Sequence, residues 1–153
     1  MELADKEKIN ASEQNSIAKS LLIIINKNYE KLPLSKIEYQ SLSTSKSTIS
    51  LYSLPNSYIT KRYINGSFSA KYLFSIVYRS IPTNTNQRIS CEEILNELGE
   101  WLCNLDFNDY ISLTGARHVD EIEITDNAQL YRQYENGTED YHILFSLKYS
   151  KER

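Results

Sequence analysis

The sequence predicts an α+β fold, an antiparallel sheet with an N-terminal helix and a central helix packed on one face. Three observations predict it. An Asn65-Gly66 pair sits between two alternating apolar/polar runs, the signature of a β-hairpin. Residues 90–105 carry a helical apolar stripe with its own cap, and Tyr141–Tyr149 alternate again. Strands grouped in runs, not interleaved with helices, favour antiparallel pairing. A length of 153 residues predicts one domain over 1–153, and 41% hydrophobic with 24% charged residues argues against disorder.

Residues 4–28 read as the N-terminal helix, because Ile9, Ile17, Leu21, Ile24 and Ile25 recur near helical spacing. Residues 32–57 are Ser-rich and punctuated by Pro33 and Pro55, so they read as loop. Within them, the alternation at Ile37/Tyr39 and Ile49/Leu51 predicts one or two edge strands.

In the hairpin over 58–81, a two-residue type I′ turn would set Tyr63 opposite Phe68, Lys61 opposite Ala70 and Ile59 opposite Tyr72. That gives an apolar face of Tyr63, Phe68, Tyr72, Phe74 and Ile76. Residues 82–88 read as loop, and Ser90-Cys-Glu-Glu93 opens the central helix as a capping box. Its stripe of Cys91, Ile94, Leu95, Leu98, Trp101, Leu102 and Leu105 is the expected cover for the hairpin. A short strand with Val119, Ile122 and Ile124 and a final half-buried strand over 141–149 complete the sheet.

No catalytic, metal or cofactor site is expected. His118 and His142 lack neighbours at zinc-ligand spacing and read as surface histidines. Cys91, in the first turn of its helix, faces Glu92 and Glu93 and reads as a structural thiol. Cys91 and Cys103, twelve residues apart on one helix, would lie roughly 18 Å apart and read as free thiols in a reducing compartment. The four glycines are isolated, so no phosphate-binding loop is present. The carboxylates Asp106, Asp109, Asp120, Glu121, Glu123 and Asp126 do not follow EF-hand spacing. Met1–Asn10 has no apolar core of a signal peptide, and the longest apolar run, Leu21–Ile25, is too short to span a membrane. A net charge of -3 gives no support to general nucleic-acid binding.

Charge is unevenly placed. Lys31, Lys36, Lys46, Lys61, Arg62, Lys71 and Arg79 face a single acid, Glu38, between residues 31 and 80. Asp120, Glu121, Glu123, Asp126, Glu135, Glu139 and Asp140 face a single base, Arg132, between 118 and 140. The two blocks either neutralise each other within one subunit or meet between copies, head to tail, as in a ring. For the second case the expected interface residues are Lys61 and Arg62 against Asp120, Glu121 and Glu123.

The order of elements resembles the small tail-terminator (tail-completion) proteins of long-tailed phages and phage-derived particles, often labelled minor capsid proteins. The resemblance rests on the N-terminal helix, on Tyr58-Ile-Thr-Lys-Arg-Tyr-Ile-Asn-Gly-Ser-Phe68 followed by Tyr72-Leu-Phe-Ser-Ile-Val-Tyr78, and on the helix Ile94–Leu105. Closest of all is Tyr131-Arg-Gln-Tyr-Glu-Asn-Gly-Thr-Glu-Asp-Tyr141 before the last strand.

It implies a hexameric ring on the head-proximal end of the tail tube that ends tube growth and joins the tube to neck or head. The implied partners are further copies of the chain, the tail tube protein, and a sheath, neck or connector protein. DNA would pass through the lumen without specific binding. The implied location is bacterial cytoplasm during assembly, then a virion or a headless contractile bacteriocin. No catalytic residue and no cofactor are implied. The competing expectations are another connector or tube-associated component, a small adaptor for peptide or nucleic acid, and an enzyme with a cryptic site.

Overall fold

A computed structural model describes residues 6–44, 46–108 and 111–153. Met1–Asp5, Ser45, Asp109 and Tyr110 lie outside the described residues, and with them the first residues of the expected helix 4–28 and one of the carboxylates.

The elements are α1 (Ala11–Asn28), β1 (Glu38–Tyr39), β2 (Thr48–Ser53), β3 (Tyr58–Arg62), β4 (Phe68–Ser80), α2 (Thr85–Cys103), β5 (Arg117–Gln133) and β6 (Glu139–Lys151). The α+β class is as expected. Strands run in the order β1-β2-β4-β6-β5, and β3 pairs with the same flank of β4 as β2. The sheet is mixed, because β1 runs parallel to β2 while every other pair is antiparallel.

Both helices bury their apolar stripes in one core. Ile17, Leu21 and Ile25 of α1 and Leu95, Leu98 and Leu102 of α2 are fully buried, together with Tyr72, Phe74, Ile76, Ile143, Phe145 and Leu147 of the sheet. Phe74 stacks on Phe145 at 4.8 Å and on Tyr72 at 5.4 Å between ring centroids.

Both helix starts differ from expectation, and side-chain caps explain why. Asn10 accepts from the Glu13 amide at 2.8 Å, so α1 begins at Ala11 and residues 6–9 stay extended. Asn84 accepts from the Gln87 amide at 2.9 Å, and the Gln87 side chain accepts in turn from the Thr83 amide. That reciprocal cap starts α2 at Thr85, five residues before the Ser90 box.

The main seat of α2 is also different: it lies over β5 and β6 more than over β4. Gly99 makes the close approach, since a Cβ there would lie 2.6 Å from Ile143 Cδ1 and 3.1 Å from Ile124 Cδ1. Replacing Gly99 with Val is expected to cost about 1–3 kcal/mol by overpacking. An unchanged urea midpoint would contradict this seating.

The hairpin register is corrected as well. Tyr63 N donates to Ser67 O at 2.9 Å, Gly66 N donates to Tyr63 O at 3.0 Å, and Gly66 has φ +93°. This is a three-residue loop with a left-handed glycine. A bulge at Thr60 follows, so Ile59 faces Ala70 and Lys61 faces Ser69. Tyr63 turns out of the apolar face and is exposed.

The same turn recurs at Tyr134-Glu-Asn-Gly-Thr138, with Tyr134 N to Thr138 O at 2.8 Å and Gly137 at φ +89°. The likeness extends across the sheet. Phe74 pairs with Phe145, the residue 71 positions later. The pairs Tyr58↔Lys71, Ile59↔Ala70, Lys61↔Ser69 and Arg62↔Phe68 map at that offset onto Gln129↔His142, Leu130↔Tyr141, Arg132↔Asp140 and Gln133↔Glu139, bulge included. Ser50↔Val77 through Ser53↔Phe74 map likewise onto Glu121↔Lys148 through Ile124↔Phe145.

The molecule is therefore two α–β–β units. A local two-fold passes between Phe74 and Phe145, and β2 with β3 is equivalent to β5. The first unit breaks its long strand at Leu54–Ser57, where Pro55 sits. The second keeps one strand of 17 residues and shifts register between Ile124 and Gln129. The strand thus runs through Asp126-Asn127, well beyond the short strand expected.

Candidate subunit interface

Lys61 and Arg62 end β3 beside the first hairpin tip, while Asp120, Glu121 and Glu123 lie on β5. All five are exposed. The pairing rows place them. Arg62 faces Phe68, Phe68 faces Lys151, and Lys151 faces Arg117; two residues on, Ala70 faces Tyr149 and Tyr149 faces Val119. The basic pair and the acidic group therefore sit at the same end of the sheet and on opposite edges, separated by three strand spacings of roughly 4.8 Å. No local sequence pattern encodes this placement, because β5 and β3 are joined only through β6 and β4.

Not every charge in the two blocks is available. Arg79 Nε and Nη2 donate to the Asp140 carboxylate at 2.7 and 2.8 Å, in a pair nearly shut off from solvent, and Tyr134 OH also donates to Asp140. Arg88 pairs with Glu139 at 3.2 Å. Arg79, Asp140 and Glu139 thus neutralise charge within the subunit. Arg62 is partnered too: its guanidinium binds Glu7 and lies over Phe68. That hydrogen bond holds the Glu7 carboxyl below its usual range.

Lys61 is freer, with its ammonium 5.1 Å from the Tyr63 ring and no ion pair among the described residues. On the acidic side Glu121 meets Lys148 at 3.6 Å, while Asp120 and Glu123 have no ion pair among the described residues.

The two edges also differ in how they are closed. The chain's own extended residues cover β3: Ile59 N donates to Glu7 O at 2.8 Å and Ile9 N to Ser57 O at 3.1 Å. β1 covers β2, with Gln40 N donating to Leu51 O at 2.9 Å. No strand among the described residues pairs with the outer edge of β5. An edge strand of this length is a ready template for association unless charge blunts it.

Beside that edge runs a groove of about 300 Å3. It is lined by Leu105, Asp106 and Phe107 from the segment after α2 and by Val119, Asp120, Glu121 and Ile122 of β5.

A buried cluster stiffens this end of the sheet. The Glu13 carboxylate accepts from Arg117 Nε and Nη2 at 2.8 and 2.7 Å, from Tyr149 OH at 2.8 Å and from Lys151 Nζ at 3.3 Å. Burial alone would raise the Glu13 pKa. The hydrogen bonds from Arg117 and Tyr149 and the charges of Arg117 and Lys151 outweigh it, and the group is held at about 2. The cluster ties the start of α1 to the start of β5 and the end of β6.

The remaining candidates are ordinary in their settings. His118 lies 3.6 Å from Glu152 at the surface. His142 stacks on Tyr131 at 4.2 Å, and burial lowers its pKa against the pull of Asp126. Cys91 falls mid-helix, not in the first turn, and burial raises its thiol. Cys91 and Cys103 are both free thiols. Among the described residues no group of three or more His, Cys, Asp or Glu side chains could hold a metal ion. No helix is long and apolar enough to cross a membrane. Compared with known proteins, the chain matches no family model and no curated sequence.

Proposed function

We propose that this chain is a structural subunit that assembles head to tail into a ring, and that the ring caps the head-proximal end of a phage or phage-like tail tube. The observation that carries the reading is the placement of Lys61 and Asp120 on opposite edges of one sheet at the same end. A contact from one edge of a copy to the other edge of the next, near the same end of the sheet, is head to tail. Such heterologous contacts give a ring where the rotation between neighbours closes and a filament where it does not. The tail-tube part of the reading rests on the resemblance in element order. It assigns binding and geometry to the chain, with no catalytic residue.

Mass measurement of the purified chain with low-resolution imaging tests the ring, with a six-membered annulus expected. Omitting the chain from tail assembly is expected to give tubes of uncontrolled length; tubes of normal length would overturn the terminator role.

Charge should set register more than affinity, because exposed ion pairs contribute only about 0–1 kcal/mol each. Raising salt is therefore expected to weaken the ring moderately. Lys61→Glu is expected to weaken it further, and Asp120→Lys in the same chain to restore part of the loss. Indifference of sedimentation to all three changes would remove charge from the interface.

A further inference from the structure

The repeat shows a place that the first unit fills and the second leaves open. In the first unit β1 lies parallel to β2 at Glu38↔Ser50 and Tyr39↔Leu51, and the Gln40 amide donates to Leu51 O at 2.9 Å. The repeat maps Ser50 and Leu51 onto Glu121 and Ile122 of β5, and no strand among the described residues lies beside them.

Ile122 turns its main chain to that open side. Glu152 N donates to Ala116 O at 3.1 Å and Tyr134 N to Thr138 O at 2.8 Å, so the even-numbered residues of β6 bond β5. Glu121 and Glu123, opposite Lys148 and Ser146, therefore bond inward, and Ile122 between them points its N–H and C=O outward. Farther along, α2 closes the edge itself: Asn96 Oδ1 accepts from the Ala128 amide at 2.9 Å, and the Cys103 thiol meets the Ile124 main chain. The open place is thus confined to residues 119–122, beside the groove.

The opposite edge of the sheet ends on a strand of matching form. Residues 6–9 run antiparallel to β3, with Lys8 opposite Tyr58. Glu7 O and Ile9 N bond β3, so Lys8 turns its own N–H and C=O outward, and neither has a main-chain hydrogen bond among the described residues. Direction agrees: each neighbouring pair from residues 6–9 through β3, β4 and β6 to β5 is antiparallel, so residues 6–9 and β5 point the same way. Height agrees as well, because one row crosses the whole sheet: Lys8↔Tyr58, Tyr58↔Lys71, Lys71↔Lys148 and Lys148↔Glu121. Residues of one row share a face, here the one away from the helices.

We propose that residues 6–9 of one copy add in parallel to the open edge of β5 in the next copy, with Lys8 opposite Glu121 and its carbonyl accepting from the Ile122 amide. The added strand takes the place that β1 holds on β2. The occupant is a second copy because direction, face, row and charge all agree: Lys8 lands beside Glu121 and Glu123, and neither Lys8 nor Glu123 has an ion pair among the described residues. Pairing β5 with another β5 sets Glu121 and Glu123 against like charges. The contact rests on the head-to-tail ring reading and fixes its register through main-chain bonding, as strand addition does.

Paired cysteines test the contact in the full chain, with Cys103→Ser as background because Cys103 borders the same groove. Within one copy Lys8 and Glu121 are four strand spacings apart, roughly 19 Å, beyond disulfide reach. Lys8→Cys with Glu121→Cys is therefore expected to give, on mild oxidation, linked species larger than dimers. Either change alone should give nothing above a dimer, and Lys8→Cys with Gln129→Cys should give no ladder. Lys8→Pro removes an outward N–H that the subunit does not use, so its melting temperature should match wild type. It is expected to weaken each contact roughly ten-fold, the worth of one hydrogen bond and one exposed ion pair. If Lys8→Pro melts early, the cysteine pair alone decides.

Wild-type rings whose cysteine pair links nothing above dimers, or that survive Lys8→Pro undiminished, overturn the contact and leave the ring standing. Linked chains without closed rings keep the contact and overturn the ring. Glu121→Cys alone passing wholly into dimers shows β5 paired with itself and overturns the contact.

Discussion

Replacing Glu13 with Gln is expected to destabilise the protein by about 3–5 kcal/mol, because it leaves Arg117 buried without its carboxylate. Arg117 and Glu13 are each less than a tenth exposed in this pair, so water cannot substitute for the lost partner. The same group sets an acid dependence. Its folded pKa of about 2 lies below the ordinary 4.5, so the folded state binds its proton less readily than the unfolded chain does. The stabilisation is present in full above about pH 4.5 and is lost as pH falls towards 2. A shift of this size corresponds to up to about 3 kcal/mol. Urea unfolding between pH 7 and pH 2.5 should therefore fall more steeply for wild type than for Glu13→Gln. Parallel curves would mean that Glu13 is not the group responsible.

Phe74→Ala is expected to cost about 3–5 kcal/mol, since the ring is fully buried and stacked on two others. Phe74 lies on the two-fold with Phe145, and the two rings stack at 4.8 Å. The Phe145→Ala loss should be of similar size, and the double variant should lose less than the sum, because the residues touch. A melting temperature unchanged by Phe74→Ala would show that the strand faces are assigned wrongly.

The repeat bears on how much of this protein is readable without a structure. Tyr63-x-Asn-Gly-Ser67 with Leu73-Phe-Ser75, and Tyr134-x-Asn-Gly-Thr138 with Leu144-Phe-Ser146, stand at one offset in the sequence. That is the signal from which the two-unit architecture can be found, and an element-by-element reading passes over it. The interface shows the opposite case. Lys61, Arg62, Asp120, Glu121 and Glu123 stand out in the sequence as interface candidates, yet Arg62 is already paired within the subunit, as is Arg79 of the same basic block. Their partners, Glu7 and Asp140, are 55 and 61 residues away in sequence. Glu13, the best-satisfied carboxylate of the sheet's stiffened end, has no neighbour in the sequence that signals this role. Its partners lie more than 100 residues downstream.

What the sequence by itself determined is local: the α+β class, the apolar stripes of both helices, the alternation of the strands, and the two Asn-Gly turns. Each depends on side chains a few residues apart, whose spacing sets which face they share. Tertiary structure alone decided the rest. Caps at Asn10 and Asn84 chose the helix starts, and a left-handed glycine with a bulge shifted the hairpin register. The insertion of β6 between β4 and β5 set basic and acidic edges on opposite sides of one end. Pairing across 71 residues is chosen by the collective burial of Phe74, Phe145 and their neighbours, a sum over contacts that no short window of sequence contains.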